Sequence, residues 1–399
     1  MRIKGKEFSD WILPFGVLGM LVFLLAATGV RFIRQGNTEG FSLMAEGSFS
    51  ETGVDGIVDG SFQEVLGEWF TDSFFGHSAA VSLHNQINYS VFGDASERWV
   101  CGKDRYLFSA GQVEMYIQRK DKLWEPQDYE EYAKKVYKMQ TALEAAGKAF
   151  VYILTPNKTE IYPERLPWRD RWILEHEVDK EKGSHNQLVE AFVRNGVHFY
   201  DSTQDILRMK EEADFDAFAR TGHHWTFTAC AEEMNAIFAG IQPWTPGITY
   251  PEVQVVGMSD EVCSYDLDIL QSQKVWFGHN RDVVYQSPVI AYPKMSEEKV
   301  FWFGTSYGAL FTIALYQGVD ARAFERLAFQ QYFTGLYVFD GEGISAEEFT
   351  EEDTPEDIGV MENIRNDDLL VMEQQADSGI YPTHVKFVDY VNACLEGLD

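Results

Sequence analysis

The chain has 399 residues, 45% of them apolar and 15% aromatic, with a formal net charge of −30. That composition can bury one large core or two modest ones and excludes a disordered chain. The negative charge excludes nucleic acid and anionic lipid surfaces as partners, because binding their phosphates needs clustered Lys and Arg.

Residues 11–30 (WILPFGVLGMLVFLLAATGV) are uncharged and mostly apolar. At about 1.5 Å per residue they reach roughly 30 Å, the thickness of a bilayer core. Arg2, Lys4 and Lys6 precede them, Arg31 and Arg34 follow, and the excess at the front favours a cytoplasmic N-terminus. Ala26-Ala27 would suit cleavage of a signal peptide, but the apolar run is long for one. Residues 1–34 are therefore predicted as a cytoplasmic N-terminus and a single transmembrane signal-anchor helix. The rest is placed on the extracytoplasmic side of the cell membrane. The first 34 residues carry +3, which leaves −33 on the exported portion.

Residues 35–60 are rich in Gly and Ser without periodicity and read as a flexible linker, which leaves 61–399 for the folded domain. An amphipathic pattern (Phe62, Val65, Leu66, Phe70, Val81, Leu83, Ile87) opens that domain, and 99–108 reads as a hairpin around Gly102-Lys103-Asp104. A helix over 129–146, stopped by Gly147, precedes the continuous apolar strand 149–155, of the kind buried on both faces. A helix over 186–194 closed by Gly196, a strand at 198–201 and a helix over 228–239 continue the alternation. Residues 241–299 hold many Val, Tyr, Thr and Pro and read as a small β-rich insertion. A strand at 300–303 then enters a helix over 309–317, the acidic stretch 345–357 reads as a surface loop or short helix, and 368–372 is the last predicted strand. Strands alternating with helices imply an α/β fold with a mainly parallel sheet, helices on both faces, and reactive groups at the carboxyl ends of strands.

Those ends carry the candidate chemistry. Gly304-Thr305-Ser306-Tyr307-Gly308 puts one serine on a turn between an apolar strand and a helix. Such a turn presents the hydroxyl at the sheet edge beside the N–H groups of a helix start. A serine nucleophile needs a base within hydrogen-bond reach. Arg220-Thr221-Gly222-His223-His224-Trp225-Thr226 supplies it, with His224 preferred over its neighbour His223, Trp225 packing under the ring and Thr226 capping the next helix. The acid that would orient the imidazole is not evident, and Asp214, Asp216, Asp282 and Asp340 are the candidates. The four cysteines (Cys101, Cys230, Cys263, Cys394) lack zinc spacing. No metal is expected. Cys230–Cys263 is the first disulfide to test, four free thiols being the alternative.

Four segments in order resemble the alginate O-acetyltransferase family of SGNH-hydrolase-like envelope proteins, from about Phe70 to the C-terminus. Val100-Cys101-Gly102-Lys103-Asp104-Arg105-Tyr106-Leu107-Phe108 is similar to the family's Val-x-Gly-Lys-Asp-Gly-Trp-Leu-Phe hairpin. Pro156-Asn157-Lys158, with Tyr162-Pro163-Glu164 and Leu166-Pro167, is similar to its Pro-x-Lys…Tyr-Pro-Glu…Leu-Pro segment. Thr221 to Thr226 resembles its Thr-Asp-x-His-Trp-Thr block, and Gly304-Thr305-Ser306-Tyr307 its nucleophile turn.

The resemblance implies an SGNH-hydrolase-like (flavodoxin-like) fold and catalytic roles for Ser306 and His224. The family's triad aspartate falls on Gly222, so another carboxylate supplies the contact, a dyad suffices, or activity is lost. The implied function is transfer of acetyl groups onto hydroxyls of an extracellular or cell-wall polysaccharide. No cofactor is implied, the acetyl donor coming from a multi-spanning membrane O-acyltransferase partner. Thr305 and Tyr307 at the serine turn, with Asn157, Lys158 and Trp225, are then candidates for oxyanion or substrate binding. An esterase of the same architecture, and a non-catalytic polysaccharide-binding scaffold subunit, are the competing readings.

Overall fold

The computed structural model describes residues 77–92, 98–118, 124–261, 263–272, 275, 285–316, 322–341, 343–350 and 352–396. The predicted transmembrane helix at 11–30 and linker at 35–60 lie outside the described residues. Among those described, no helix is long and apolar enough to cross a membrane. The chain divides into residues 1–87 and 88–399. The described part of the first unit is helix α1 (His77–Ile87).

The second unit opens with the π-helical turn Asn88–Phe92; the predicted hairpin follows, β1 (Trp99–Cys101) and β2 (Leu107–Ser109), from which helix α2 (Ala110–Tyr116) leaves. There follow α3 (Pro126–Ala145), β3 (Ala149–Thr155), the one-turn α4 (Lys158–Ile161), α5 (Trp168–His176), α6 (Ser184–Asn195) and β4 (Phe199–Asp201). Next come α7 (Thr203–Glu212), α8 (Phe227–Ile241), β5 (Glu252–Ser259), the short α9 (Asp268–Ser272) and β6 (Ser287–Lys294). The chain continues with β7 (Lys299–Gly304), α10 (Ser306–Tyr316), β8 (Arg326–Gln331), β9 (Gly335–Asp340) and β10 (Gly343–Glu348). Helix α11 (Val360–Asn366), β11 (Leu369–Gln375) and α12 (Pro382–Glu396) complete it.

Among the described residues, seven strands form one mixed sheet in the order β10-β9-β8-β7-β11-β3-β4. From β8 to β4 neighbours run parallel, while β9 and β10 return antiparallel at one edge. The two-residue period of the strands sorts their side chains into two cores. Val151, Ile153, Val300, Trp302 and Val371 pack with α8 and α10 on one face. Phe150, Tyr152, Phe301, Phe303, Leu370 and Met372 pack with α3, α6 and α12 on the other. Helix α3 starts earlier than its apolar period suggests, because Pro126 suits a first turn and Glu125 and Asp128 form a reciprocal cap.

The acidic stretch departs from expectation. Its first part is the exposed edge strand β10, registered on β9, where Glu347 and Glu348 keep an open edge charged. Segment 241–299 holds the antiparallel pair β5/β6 and also the helical turn α9, which its composition does not signal. Cys230 and Cys263 are both thiols, so the bridge between them is not formed, although they lie close enough for charge on Cys263 to disfavour charge on Cys230.

Candidate functional site

Strand β7 is buried from Val300 onward and delivers Ser306 to the carboxyl edge as the first residue of α10. A buried carboxylate fixes this turn. Glu373, on the neighbouring strand β11, accepts from Thr305 N–H at 2.8 Å, Thr305 Oγ1 at 2.9 Å, Gly308 N–H at 3.1 Å and Thr155 Oγ1 at 2.7 Å. An anion is favoured there because helix N–H groups leave a partial positive charge at α10's first turn. The spacing of the two glycines follows from the same contact. A Cβ on Gly304 or Gly308 would stand 2.8 or 2.9 Å from Glu373 Oε2, so side chains at both positions are excluded. Burial raises the Glu373 carboxyl above its ordinary range, against the pull of the Thr155, Thr305 and Gly308 donors.

The expected roles of the neighbouring residues change accordingly. The Thr305 side chain faces Glu373, and its Oγ1 accepts the Tyr307 N–H at 3.1 Å. Tyr307 is buried and its hydroxyl donates to the His223 carbonyl at 2.9 Å. With the Tyr307 and Gly308 N–H groups taken, the Ser306 N–H is the backbone donor of this turn left without an acceptor among the described residues. Glu373→Gln should turn an amide N–H₂ toward at least one of these donors. The expected result is a loss of about 1–3 kcal/mol in urea-denaturation stability, with slower phosphonate labelling of Ser306. Unchanged stability would contradict this account of the turn.

The histidine loop lies between β4 and α8. Thr226 caps α8 as the sequence suggests, its Oγ1 accepting from Ala229 N–H at 3.2 Å. His224 Nε2 stands 2.7 Å from Ser306 Oγ and Nδ1 stands 2.7 Å from Asp268 Oδ2. Carboxylate, imidazole and hydroxyl thus form one continuous hydrogen-bonded chain. The His224 ring is walled by Tyr265, edge-on at 4.9 Å, and Tyr307, also at 4.9 Å. His223 points elsewhere: its ring is buried, and burial together with the nearby His224 charge holds it down to about 3. Its N–H donates to Asp268 Oδ1 at 2.7 Å.

The carboxylate bonded to His224 Nδ1 is none of the four expected from sequence. Asp216 bonds Arg220 and Tyr285, Asp214 is exposed, Asp340 ends β9, and Asp282 lies outside the described residues. Asp268 comes instead from α9 inside the 241–299 segment. Burial would raise its carboxyl, but the hydrogen bond and charge of His224, His223's charge and His223's N–H hold it below the usual range. Gly222, where the resembling family has its aspartate, explains the change. A Cβ there would come within 2.6 Å of the Tyr265 carbonyl and 2.8 Å of the Asp266 carbonyl. The backbone that carries Asp268 therefore fills the space over Gly222. It is stapled there by Thr221 Oγ1 donating to Asp266 O at 3.2 Å, Leu270 N–H donating to Thr221 O at 3.0 Å, and Ile269 packed against Tyr89 and Leu107.

The remaining candidates hold the site up rather than line it. Lys158 is buried, its ammonium donating to the carbonyls of Leu107 (2.7 Å), Ala219, Arg220 (3.2 Å) and Gly222 (2.9 Å), which clamps the loop leading to His224. Burial pushes that amine down to about 7, against the pull of Asp268 and Asp216. Asn157 Oδ1 caps α4 by accepting from Thr159 and Glu160 N–H. Trp225 is fully buried against Phe311.

Residues 100–257 match the family described as an SGNH hydrolase-like domain, acetyltransferase AlgX. A Pseudomonas syringae pv. tomato protein named as a probable alginate O-acetylase, AlgJ, is 22% identical over 229 residues, 57% of this chain and 55% of that protein. The chain thus spans about half the length of this relative. Among solved structures, the O-acetyltransferase domain of Pseudomonas putida AlgJ is 15% identical with a TM-score of 0.41, covering 74% of this chain and 99% of that one. Pseudomonas aeruginosa AlgX is 15% identical with a TM-score of 0.45, covering 80% of this chain and 71% of that one. Residues 100–257 are thus similar to an SGNH-hydrolase-like acetyltransferase domain of the AlgX type.

Proposed function

We propose that this chain is a membrane-anchored O-acetyltransferase of the cell envelope that acetylates hydroxyls of an extracytoplasmic polysaccharide through an ester on Ser306. The observation that carries the reading is the unbroken chain from Asp268 through His224 to Ser306 Oγ, both links 2.7 Å. His224 Nε2 takes the Ser306 proton as Oγ attacks the donor's acetyl carbonyl, and then returns it to the leaving group. Asp268 holds Nδ1–H and steadies the imidazolium. The Ser306 N–H faces the developing oxyanion. In the second half, His224 deprotonates a sugar hydroxyl, which attacks the acetyl ester and restores the free serine.

Both half-reactions are served by the chain's own side chains and backbone N–H, so the reading calls for no cofactor. The acetyl donor is a partner, a multi-spanning membrane O-acyltransferase. Residues 1–34 anchor the domain beside it, and 35–60 let residues 61–399 reach the polymer. The match of residues 100–257 to an SGNH-hydrolase-like acetyltransferase family, and the similarity to a probable alginate O-acetylase, support acetyl transfer over simple hydrolysis.

The test offers a chromogenic acetyl ester with and without oligosaccharide, alongside labelling by a serine-directed phosphonate. Acetylated oligosaccharide and an adduct on Ser306 are expected. Hydrolysis indifferent to sugar, with no acetylated product, makes the chain an esterase. No adduct at Ser306 leaves a binding scaffold.

A further inference from the structure

Three polar side chains beside the serine have no partner in the fold. Strands β8 and β9 lie one and two places from β7, with Gly304, Gln331 and Gly335 level with one another at the carboxyl edge. Alternation along the strands puts Gln331 and Tyr337 on the same face as Trp302 and Phe329, the face that α10 covers. A Cβ on Gly308 would stand 3.3 Å from the Phe329 ring, so the first turn of α10 rests on Phe329, two residues before Gln331. A Cβ on Gly335 would stand 3.1 Å from the Tyr337 ring and 3.3 Å from its hydroxyl. The Tyr337 side chain therefore runs along the sheet toward the edge, and its hydroxyl ends level with Gln331.

Tyr265 reaches the same place from the segment that carries Asp268. Its ring stands edge-on to His224 at 4.9 Å. Burial raises its phenol above the ordinary value, and charges on Cys263, Tyr337 and Asp268 act in the same direction, so it lies near both the base and Tyr337. The Gln331 amide and the Tyr265 and Tyr337 hydroxyls bond none of the described residues. All three side chains are only half-buried, and none of these polar atoms is sealed from solvent.

The spacing and the chemistry of the row both suit a sugar chain. Gln331 stands one strand, and the Tyr337 hydroxyl two strands, from the strand that presents Ser306. Each step is about 4.8 Å, close to the advance of one sugar along a polymer. An amide and two phenols are uncharged, and each both donates and accepts. Sugar hydroxyls have the same double character, whereas an anion needs donors and a cation needs acceptors. The two aromatic rings add apolar surface for sugar C–H groups. The row ends at Glu348, exposed on β10 opposite Gly335, whose carboxylate can accept from one more hydroxyl.

Resting on the acetyltransferase reading, we propose that Tyr265, Gln331 and Tyr337 form the acceptor site, holding the polysaccharide by its hydroxyls across the ends of β8 and β9. Tyr265 meets the sugar that is acetylated, and Gln331 and Tyr337 meet the units that follow it. One segment then supplies both the carboxylate behind the base and a contact to the substrate in front of it.

Equilibrium binding to the full chain carrying Ser306→Ala, in detergent, tests this without turnover. The probes are hexamers of a neutral glucan, a deacetylated amino-sugar polymer and a polyuronate. The tightest of them should bind tenfold or more weakly after Gln331→Ala with Tyr337→Phe, and severalfold more weakly after Tyr265→Phe, where phenylalanine keeps each ring in place. With Ser306 intact, the Gln331→Ala, Tyr337→Phe pair should raise the KM for that hexamer as acetyl acceptor more than it lowers kcat. Trp168→Ala, exposed on α5, should leave affinity as it was. Binding of no hexamer, affinity retained in the Gln331→Ala, Tyr337→Phe pair, or a loss confined to Trp168→Ala would overturn the site. If the pair weakens binding but the intact chain transfers no acetyl, the site stands and the transferase reading falls. If acetyl is transferred with affinity and KM unaltered by the pair, the transferase reading stands and the site falls.

Discussion

Ser306→Ala should lower kcat on an acetyl ester by about 10⁶, the scale on which losing one member of an interdependent nucleophile–base pair removes the effect of the whole set. His224→Ala should fall by a similar factor, and the double variant scarcely further, since Nε2 has no proton to move once Oγ is gone. The serine's bond to His224 is the link that both changes cut, and His224→Ala also releases Asp268 Oδ2. The clamp on the loop, Lys158, and the carboxylate under the turn, Glu373, stay in place, so thermal stability should hold. Single-turnover rates on a chromogenic acetate, measured beside a melting curve, check both statements. Full activity in His224→Ala would remove the base assignment, and with it the mechanism.

Asp268→Asn should cost about 10⁴ in kcat, the loss seen when an orienting carboxylate in a Ser-His-Asp triad becomes an amide and the imidazole tautomer is no longer held. The amide keeps the shape of the side chain and can still accept the His223 and Ile269 N–H groups at Oδ1, so the loop keeps its place. What changes is the partner of His224 Nδ1. Restoring an acid at the family's position should not rescue the variant. Gly222→Asp introduces a Cβ into backbone carbonyls 2.6 and 2.8 Å away, which must push the Tyr265–Asp266 segment off. Steady-state kinetics on Asp268→Asn alone and with Gly222→Asp decide the point. Recovery of activity in the double variant would show that Gly222 is not closed to an acid.

The parallel sheet and the serine–histidine pair were legible because both depend on local pattern. An unbroken apolar run such as 149–155 has few fates other than a strand buried on both faces, and β3 occupies those residues. The serine lies between such a strand and a helix. The edge strand β10 was not legible, since six exposed, partly acidic residues look like a loop until β9 is beside them. Asp268 was hidden for a related reason. It sits 44 residues from His224 in a five-residue helix, and only the closure of the Tyr265–Asp266 backbone over Gly222 makes it a partner. Lys158 and Asn157 were visible as polar residues at a strand exit, but nothing local says whether such groups face substrate or carry a neighbouring loop. Four main-chain oxygens around the Lys158 amine answer it.

The borrowed acid also separates the steering of the base from the scaffold that holds it. Base and hydroxyl belong to loops at the rim of the sheet, whereas the carboxylate is carried on a strap fastened through Thr221 and Ile269. A molecule in which that strap has yet to dock has a complete sheet and an unsteered imidazole: folded by every bulk criterion and still chemically silent. Steering of the imidazole thus depends on one short segment that the hydrophobic layers do not need.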